Sequence, residues 1–137
     1  MERTLVICKP DAVERGLVGE IVVRLERKGL RLLACELRQI DSATARAHYA
    51  EHEQKPFFEE LVEFITRSPS VVMVVGGQPG VWSIVRTLMG PTNPAEAQPG
   101  TIRGDFGTIL TENLVHGSDS DQSAEREIAL FFPALSQ

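Results

Sequence analysis

Two rhythms of apolar residues alternate along this chain, short continuous runs and stripes at helical spacing, and their order predicts its elements. Residues 4–8 form an apolar run ended by Lys9-Pro10, which reads as a strand because proline cannot extend a ladder. Residues 11–15 allow a helical turn. Val18, Ile21, Val22 and Leu25 then recur at helix spacing, with Gly29 as the stop signal. Residues 30–40 alternate as a second strand, with Leu33, Cys35 and Leu37 on one face. Asp41 or Ser42 caps a helix running toward Tyr49. Pro56 opens another helix whose stripe is Phe57, Phe58, Leu61, Val62 and Ile65. After Pro69, residues 71–75 read as a buried central strand, and Gly76, Gly77, Pro79 and Gly80 as a turn. Val81, Trp82, Val85, Leu88 and Met89 mark the buried side of a helix, with Arg86 at its edge. Residues 90–107, punctuated by prolines and glycines, read as an irregular loop, and a loop of that length in a compact chain points to function. Leu114 and Val115 continue a short strand, Gly117 permits a bend, and Asp119 or Ser120 caps a last helix over residues 120–132.

That order predicts an α+β chain: a ferredoxin-like βαββαβ sandwich, with a four-stranded antiparallel sheet and helices over one face. The helix pair between the second and third strands, the long loop and the C-terminal helix are additions to it. With 137 residues, 42% of them hydrophobic, and no break in composition, residues 1–137 read as a single domain. A net charge of −5 argues against coating nucleic acid by phosphate neutralisation. Cys8 and Cys35 lie in apolar runs without metal-binding spacing, so both are expected as buried free thiols in a reducing compartment. No secretory leader and no apolar run near 18 residues is seen, so the expectation is a soluble, cytoplasmic protein without membrane contact.

The candidate chemistry centres on His116, which could pack, bind a metal, or act as base or nucleophile. On the following helix Ala124, Ile128 and Phe131 define the apolar face, and Glu127 lies about 60° from its centre. A carboxylate at that border either snorkels to solvent or pairs with His116; in the second case it leaves the other imidazole nitrogen oriented toward a substrate. Lys9, at a strand end, is either solvated or an anion ligand. Together with Arg86, Arg103 and the hydroxyl of Thr92 it could surround the histidine with groups suited to phosphoryl oxygens. Neither a GxxxxGK[ST] nor a GxGxxG pattern occurs, so side chains would have to hold the phosphates. Tyr49, Phe57 and Leu61 could clamp a base or simply pack in the core. Two other classes fare worse. A hydrolytic relay from His116, Ser118 and Asp119 lacks a nucleophile elbow. A nucleotide- or nucleic-acid-binding ferredoxin-like module without phosphoryl transfer would, for nucleic acid, need aromatic and basic residues on its strands, and these are aliphatic.

Several longer motifs go further. Lys9-Pro10-Asp11, His48-Tyr49-Ala50-Glu51-His52, Lys55-Pro56-Phe57-Phe58, Thr92-Asn93-Pro94, the run from Pro99 through Arg103-Gly104-Asp105-Phe106, and Asn113-Leu114-Val115-His116-Gly117-Ser118-Asp119-Ser120 closely resemble nucleoside diphosphate kinases of the bacterial type. The resemblance runs almost end to end. It implies a ping-pong transfer of the γ-phosphate of a nucleoside triphosphate, with Mg²⁺, through a phosphohistidine at His116. It further implies that Glu127 holds the far imidazole nitrogen with Ser118 nearby, and that Lys9, Arg86, Thr92 and Arg103 are phosphate ligands. Asn113 would touch the sugar, Tyr49 would lie near the phosphates, and the base would stack on Phe57 beside Leu61 and Leu110. Mg²⁺ would be held mainly by the nucleotide, with Asp119 at most a contact through water. The family assembles from dimers into tetramers or hexamers, with Pro94 in the loop that meets neighbours in hexamers. Ala12, Cys8 and Ser68 depart from its common pattern.

Overall fold

The computed structural model describes residues 1–135. Four strands, β1 (Glu2–Cys8), β2 (Arg31–Arg38), β3 (Ser70–Gly77) and β4 (Val115–Gly117), form one sheet in the order β2-β3-β1-β4. Every neighbouring pair is antiparallel, as a βαββαβ chain requires. The two central strands are the two continuous apolar runs: Leu5, Val6, Ile7 and Cys8 are buried without exposure, as are Val72 through Val75. A strand sandwiched on both faces has no polar side to alternate with.

Seven α-helices are described: α1 (Pro10–Glu14), α2 (Val18–Arg27), α3 (Ser42–His48), α4 (Phe58–Thr66), α5 (Val81–Met89), α6 (Ile102–Phe106) and α7 (Asp121–Phe131). They lie on both faces of the sheet, not on one. Val6, Cys8, Met73 and Val75 point toward α2 and α5, where Ile21, Leu25, Val85 and Met89 meet them. Leu5, Ile7, Val72 and Val74 point the other way, toward Ala45 of α3, Phe58 and Val62 of α4, and Ile128 and Phe131 of α7. The added helices supply this second layer. It follows from the central strands being apolar at every position.

Four further expectations change. In β2 a register shift between Leu32 and Ala34 sends Leu32 into the α2 and α5 layer and Ala34 into the opposite one, and Leu33, Cys35 and Leu37 are left exposed. Leu33 is 43% exposed, Leu37 65%, and the Cys35 thiol is exposed rather than buried. Cys8 does fit the expectation, with its thiol pushed up to about 12 mainly by burial. The loop at 90–107 is partly regular, with a 3₁₀ turn at Pro94–Glu96 and the short helix α6, capped by the Thr101 hydroxyl accepting from Gly104 N. Gly76 and Gly77 belong to β3, not to the turn. Gly117 lies within β4, where a Cβ would come 2.7 Å from Met89 Sδ. Its small size is needed for packing, and the left-handed bend falls instead on Leu114, at φ 73°.

Candidate active site

Alternation along β4 fixes the direction of His116. Val115 packs against the α2 and α5 layer, so His116, paired with Ile7 of β1, points to the opposite face, toward α7 and the end of α3. On α7 the helical period carries Glu127 onto the buried side, 4% exposed, between Ala124 and Ile128. Its Oε1 accepts from His116 Nε2 at 2.9 Å and from the Ser118 hydroxyl at 2.6 Å. Ser118 Oγ in turn accepts from Leu5 N at 3.3 Å, which ties the group to β1. Burial alone would push the Glu127 carboxyl up; hydrogen bonds and charge from His116, with Ser118, hold it below the usual carboxylate range. An ionised carboxylate only accepts, so His116 Nε2 carries a proton, and in the neutral imidazole the lone pair then lies on Nδ1.

The basic residues converge on the backbone beside this histidine. Lys9 Nζ donates to Asn113 Oδ1 at 2.9 Å, and Asn113 Nδ2 donates to the Thr92 carbonyl at 3.1 Å. Arg86 donates to the carbonyl of Gly117 at 3.0 Å. Arg103 is buried and donates from Nε to Asn113 O, from one terminal nitrogen to Gly90 O, and from the other to Val115 O at 2.6 Å. Burial, with repulsion from Arg86, lowers its pKa to about 10. Burial, with repulsion from Arg103, lowers Lys9 to about 8. Cations held this close together without matching counter-charge suit a polyanionic ligand.

Two residues that sequence reasoning gave no role stand inside this constellation. Asp11, nearly fully buried, accepts from Leu114 N at 3.0 Å and so pins the residue with positive φ. Its pKa is raised by burial, against the pull of Leu114 N and Lys9. His48 closes α3 and is 3% exposed, its ring edge-on to His116 with centroids 4.6 Å apart. Both of its ring nitrogens are buried with no hydrogen-bond partner among the described residues, an arrangement that costs about 1–3 kcal/mol. Burial drives its pKa down to about 3, so it is neutral. Ala45 and His48, three apart on one helix face, would have shown it facing inward.

The remaining candidates are spread around this centre. Tyr49 is buried against His48, ring centroids 4.7 Å apart, with its pKa raised by burial and by Glu127. Phe57 caps α4 instead of lying within it and is 44% exposed, with Lys55 Nζ 5.6 Å from its ring. Leu110 is exposed and Leu61 half-buried against the α4 and α7 layer. Thr92 is exposed and is held through its carbonyl, while Asp119 accepts from the Ser123 hydroxyl at 2.6 Å. Ala12 packs in the core, and Ser68 bonds Glu14 on the surface, so these departures lie away from His116.

Residues 2–136 match the sequence profile of the nucleoside diphosphate kinase family. The chain belongs to that family. A nucleoside diphosphate kinase from Chloroflexus aggregans is 59% identical over 96% of this chain and 87% of its own length. One from Thermobifida fusca is 58% identical over 98% of this chain and 99% of its own. Among solved structures, the halophilic nucleoside diphosphate kinase of Halobacterium salinarum in complex with CDP superposes with a TM-score of 0.92 at 53% identity, covering 96% of this chain and 87% of that one. As a nucleoside diphosphate kinase, the enzyme catalyses nucleotide phosphoryl transfer. Among the described residues no helix is long and apolar enough to cross a membrane.

Proposed function

We propose that the enzyme transfers the γ-phosphoryl group of a nucleoside triphosphate to a nucleoside diphosphate in two steps, with His116 Nδ1 as the carrier. The observation that carries this reading is the 2.9 Å hydrogen bond from His116 Nε2 to the buried, ionised Glu127. In the first step the Nδ1 lone pair forms a bond to the γ-phosphorus, the bond to the β–γ bridging oxygen breaks, and the diphosphate leaves with that electron pair. The second step reverses this with another diphosphate as acceptor. Glu127 keeps the proton on Nε2 in both, and Ser118 holds Glu127 in place. Lys9, Arg86 and Arg103 supply positive charge for the transferring group, so catalysis is positioning plus neutralisation. Asn113 and Thr92 line the same edge and suit sugar and phosphate contacts, and the buried Tyr49 borders it through His48.

The exposed Phe57 and Leu110, with Leu61 behind, suit stacking against a base without hydrogen bonds to its edge, which would accept purines and pyrimidines alike. CDP, bound by the Halobacterium salinarum relative, is one such ligand. Mg²⁺ prefers oxygen ligands. The one cluster of three potential metal-binding residues among those described contains two imidazoles. The phosphates therefore suit Mg²⁺ better than this chain does, with Asp119 reaching it through water; the ion would neutralise β- and γ-oxygens. Self-association from dimers into a tetramer or hexamer, and a cytoplasmic setting, complete the reading. Pro94, buried and packed against Gly107, shapes the loop assigned to hexamer contacts.

The test is to incubate the chain with γ-labelled ATP and Mg²⁺, without acceptor, beside His116→Ala. The expected result is acid-labile, alkali-stable label on the wild type only, removed by a nucleoside diphosphate. Label on the variant would overturn the assignment of His116.

A further inference from the structure

We propose that His48, His116 and Glu127 form an inhibitory binding site for a zinc-type divalent cation. One donor atom from each, two imidazole nitrogens and a carboxylate oxygen, lies within 4.8 Å of the other two. Two imidazoles and one carboxylate are a ligand set typical of zinc, with a fourth position left for water. His48 supplies the independent sign of a missing ligand: it is 3% exposed, packed edge-on to His116, and neither ring nitrogen has a hydrogen-bond partner among the described residues. Bonds of about 2.0–2.1 Å place tetrahedral ligand atoms about 3.4 Å apart, so the group must close by roughly an ångström. The His116 to Glu127 pair, at 2.9 Å, is already inside that spacing.

The consequence for the reaction follows from the imidazole itself, and this half rests on His116 Nδ1 being the phosphoryl carrier. A neutral imidazole has one lone pair and one N–H. Zinc bound at Nε2 takes the lone pair there and displaces the proton to Nδ1, the atom that must attack phosphorus. A zinc-bound His116 therefore lacks the Nδ1 lone pair that must attack phosphorus. Magnesium, with its preference for oxygen, does not compete for the site.

Zinc chloride titrated into the full chain without nucleotide, against a chromophoric chelator, tests the site directly. One zinc per chain is expected for the wild type. Both His48→Phe and His48→Gln should weaken it at least about tenfold, the scale of losing one ligand. If neither variant folds, Co²⁺ in the wild type decides: intense visible bands of a four-coordinate nitrogen-containing site support the proposal, and a weak octahedral spectrum overturns it. No zinc uptake by the wild type, or equal affinity in folded variants, also overturns it. Labelling from γ-labelled ATP should drop at least roughly tenfold with zinc and return on chelation, while residual labelling of His48→Phe is insensitive. Zinc bound with labelling undiminished overturns the inhibitory half. Zinc bound in a wild type that never labels overturns the carrier assignment and leaves the metal site standing.

Discussion

Lys9 carries the clearest pH signature of any residue at the site. Its pKa is lowered to about 8, so the free enzyme holds this cation below that pH and loses it above. Attraction for phosphates is lost in the same direction, and kcat/KM for the nucleotide should fall as pH rises through about 8, since that ratio reports the free enzyme. A pH series of initial rates checks this, and Lys9→Arg should remove the limb. Asp11 opposes the lowering at Lys9 through its negative charge. In Asp11→Asn the amide oxygen can still accept from Leu114 N while the charge is gone, so the limb should move to lower pH with little change in melting temperature. A limb that stays in place would show Asp11 to be only a backbone anchor. The His116 and Glu127 pair was legible in the sequence because helical period and strand alternation are both local rules. His48 and Asp11 were not given roles, because what sets them apart is burial, with the His48 ring nitrogens unpartnered and Asp11 holding Leu114 N, which only the packed molecule reveals.

The three-residue strand β4 and the turn before it form the element on which the site hangs. Leu114 holds φ 73° while fully buried, pinned by Asp11 on its N–H and by Lys9 N donating to its carbonyl at 2.9 Å. A left-handed conformation costs a residue with a Cβ about 1–2 kcal/mol. Leu114→Ala and Leu114→Gly lose the same core contacts, apart from one methyl, but only glycine escapes that cost. Glycine should therefore be the more stable variant by roughly 1 kcal/mol, the reverse of the usual order, as measured by denaturant titration. Sequence reasoning put this bend on Gly117, since glycine is the default residue for it. The structure spends that glycine on closeness to Met89 instead. The loop before it was read as irregular and not as helical, because α6 is a single five-residue turn whose Thr101 cap is visible only once the turn is formed.

At the scale of the whole molecule, the four-stranded antiparallel sheet followed from the sequence, whereas the doubly covered sheet did not. A stripe of apolar residues announces that a helix packs, and not on which side. The same limit hid the rim of β2. Alternation placed Leu33, Cys35 and Leu37 on one face, yet the shift between Leu32 and Ala34 puts Leu33 out of phase with the other two, and all three lie exposed on an edge strand. An exposed apolar edge of this kind invites another chain. If the enzyme self-associates through it, Leu37→Glu should shift the wild-type oligomer to smaller species in sedimentation velocity, with the fold intact by circular dichroism. An unchanged distribution would place the contact elsewhere.

Arg103 joins these scales. Its guanidinium grips Gly90 O at the start of the loop and Asn113 O and Val115 O beyond it, at the entry to β4, which draws the segment between them shut like a purse string. A loop fastened in this way is already ordered before any nucleotide arrives. Binding then carries little entropy cost from fixing the chain, and, with the base stacked as proposed, its heat-capacity change should track the apolar surface covered on Phe57 and Leu110 rather than the folding of a flap. The wall that a nucleotide meets is then set by the folded chain and not built by the ligand.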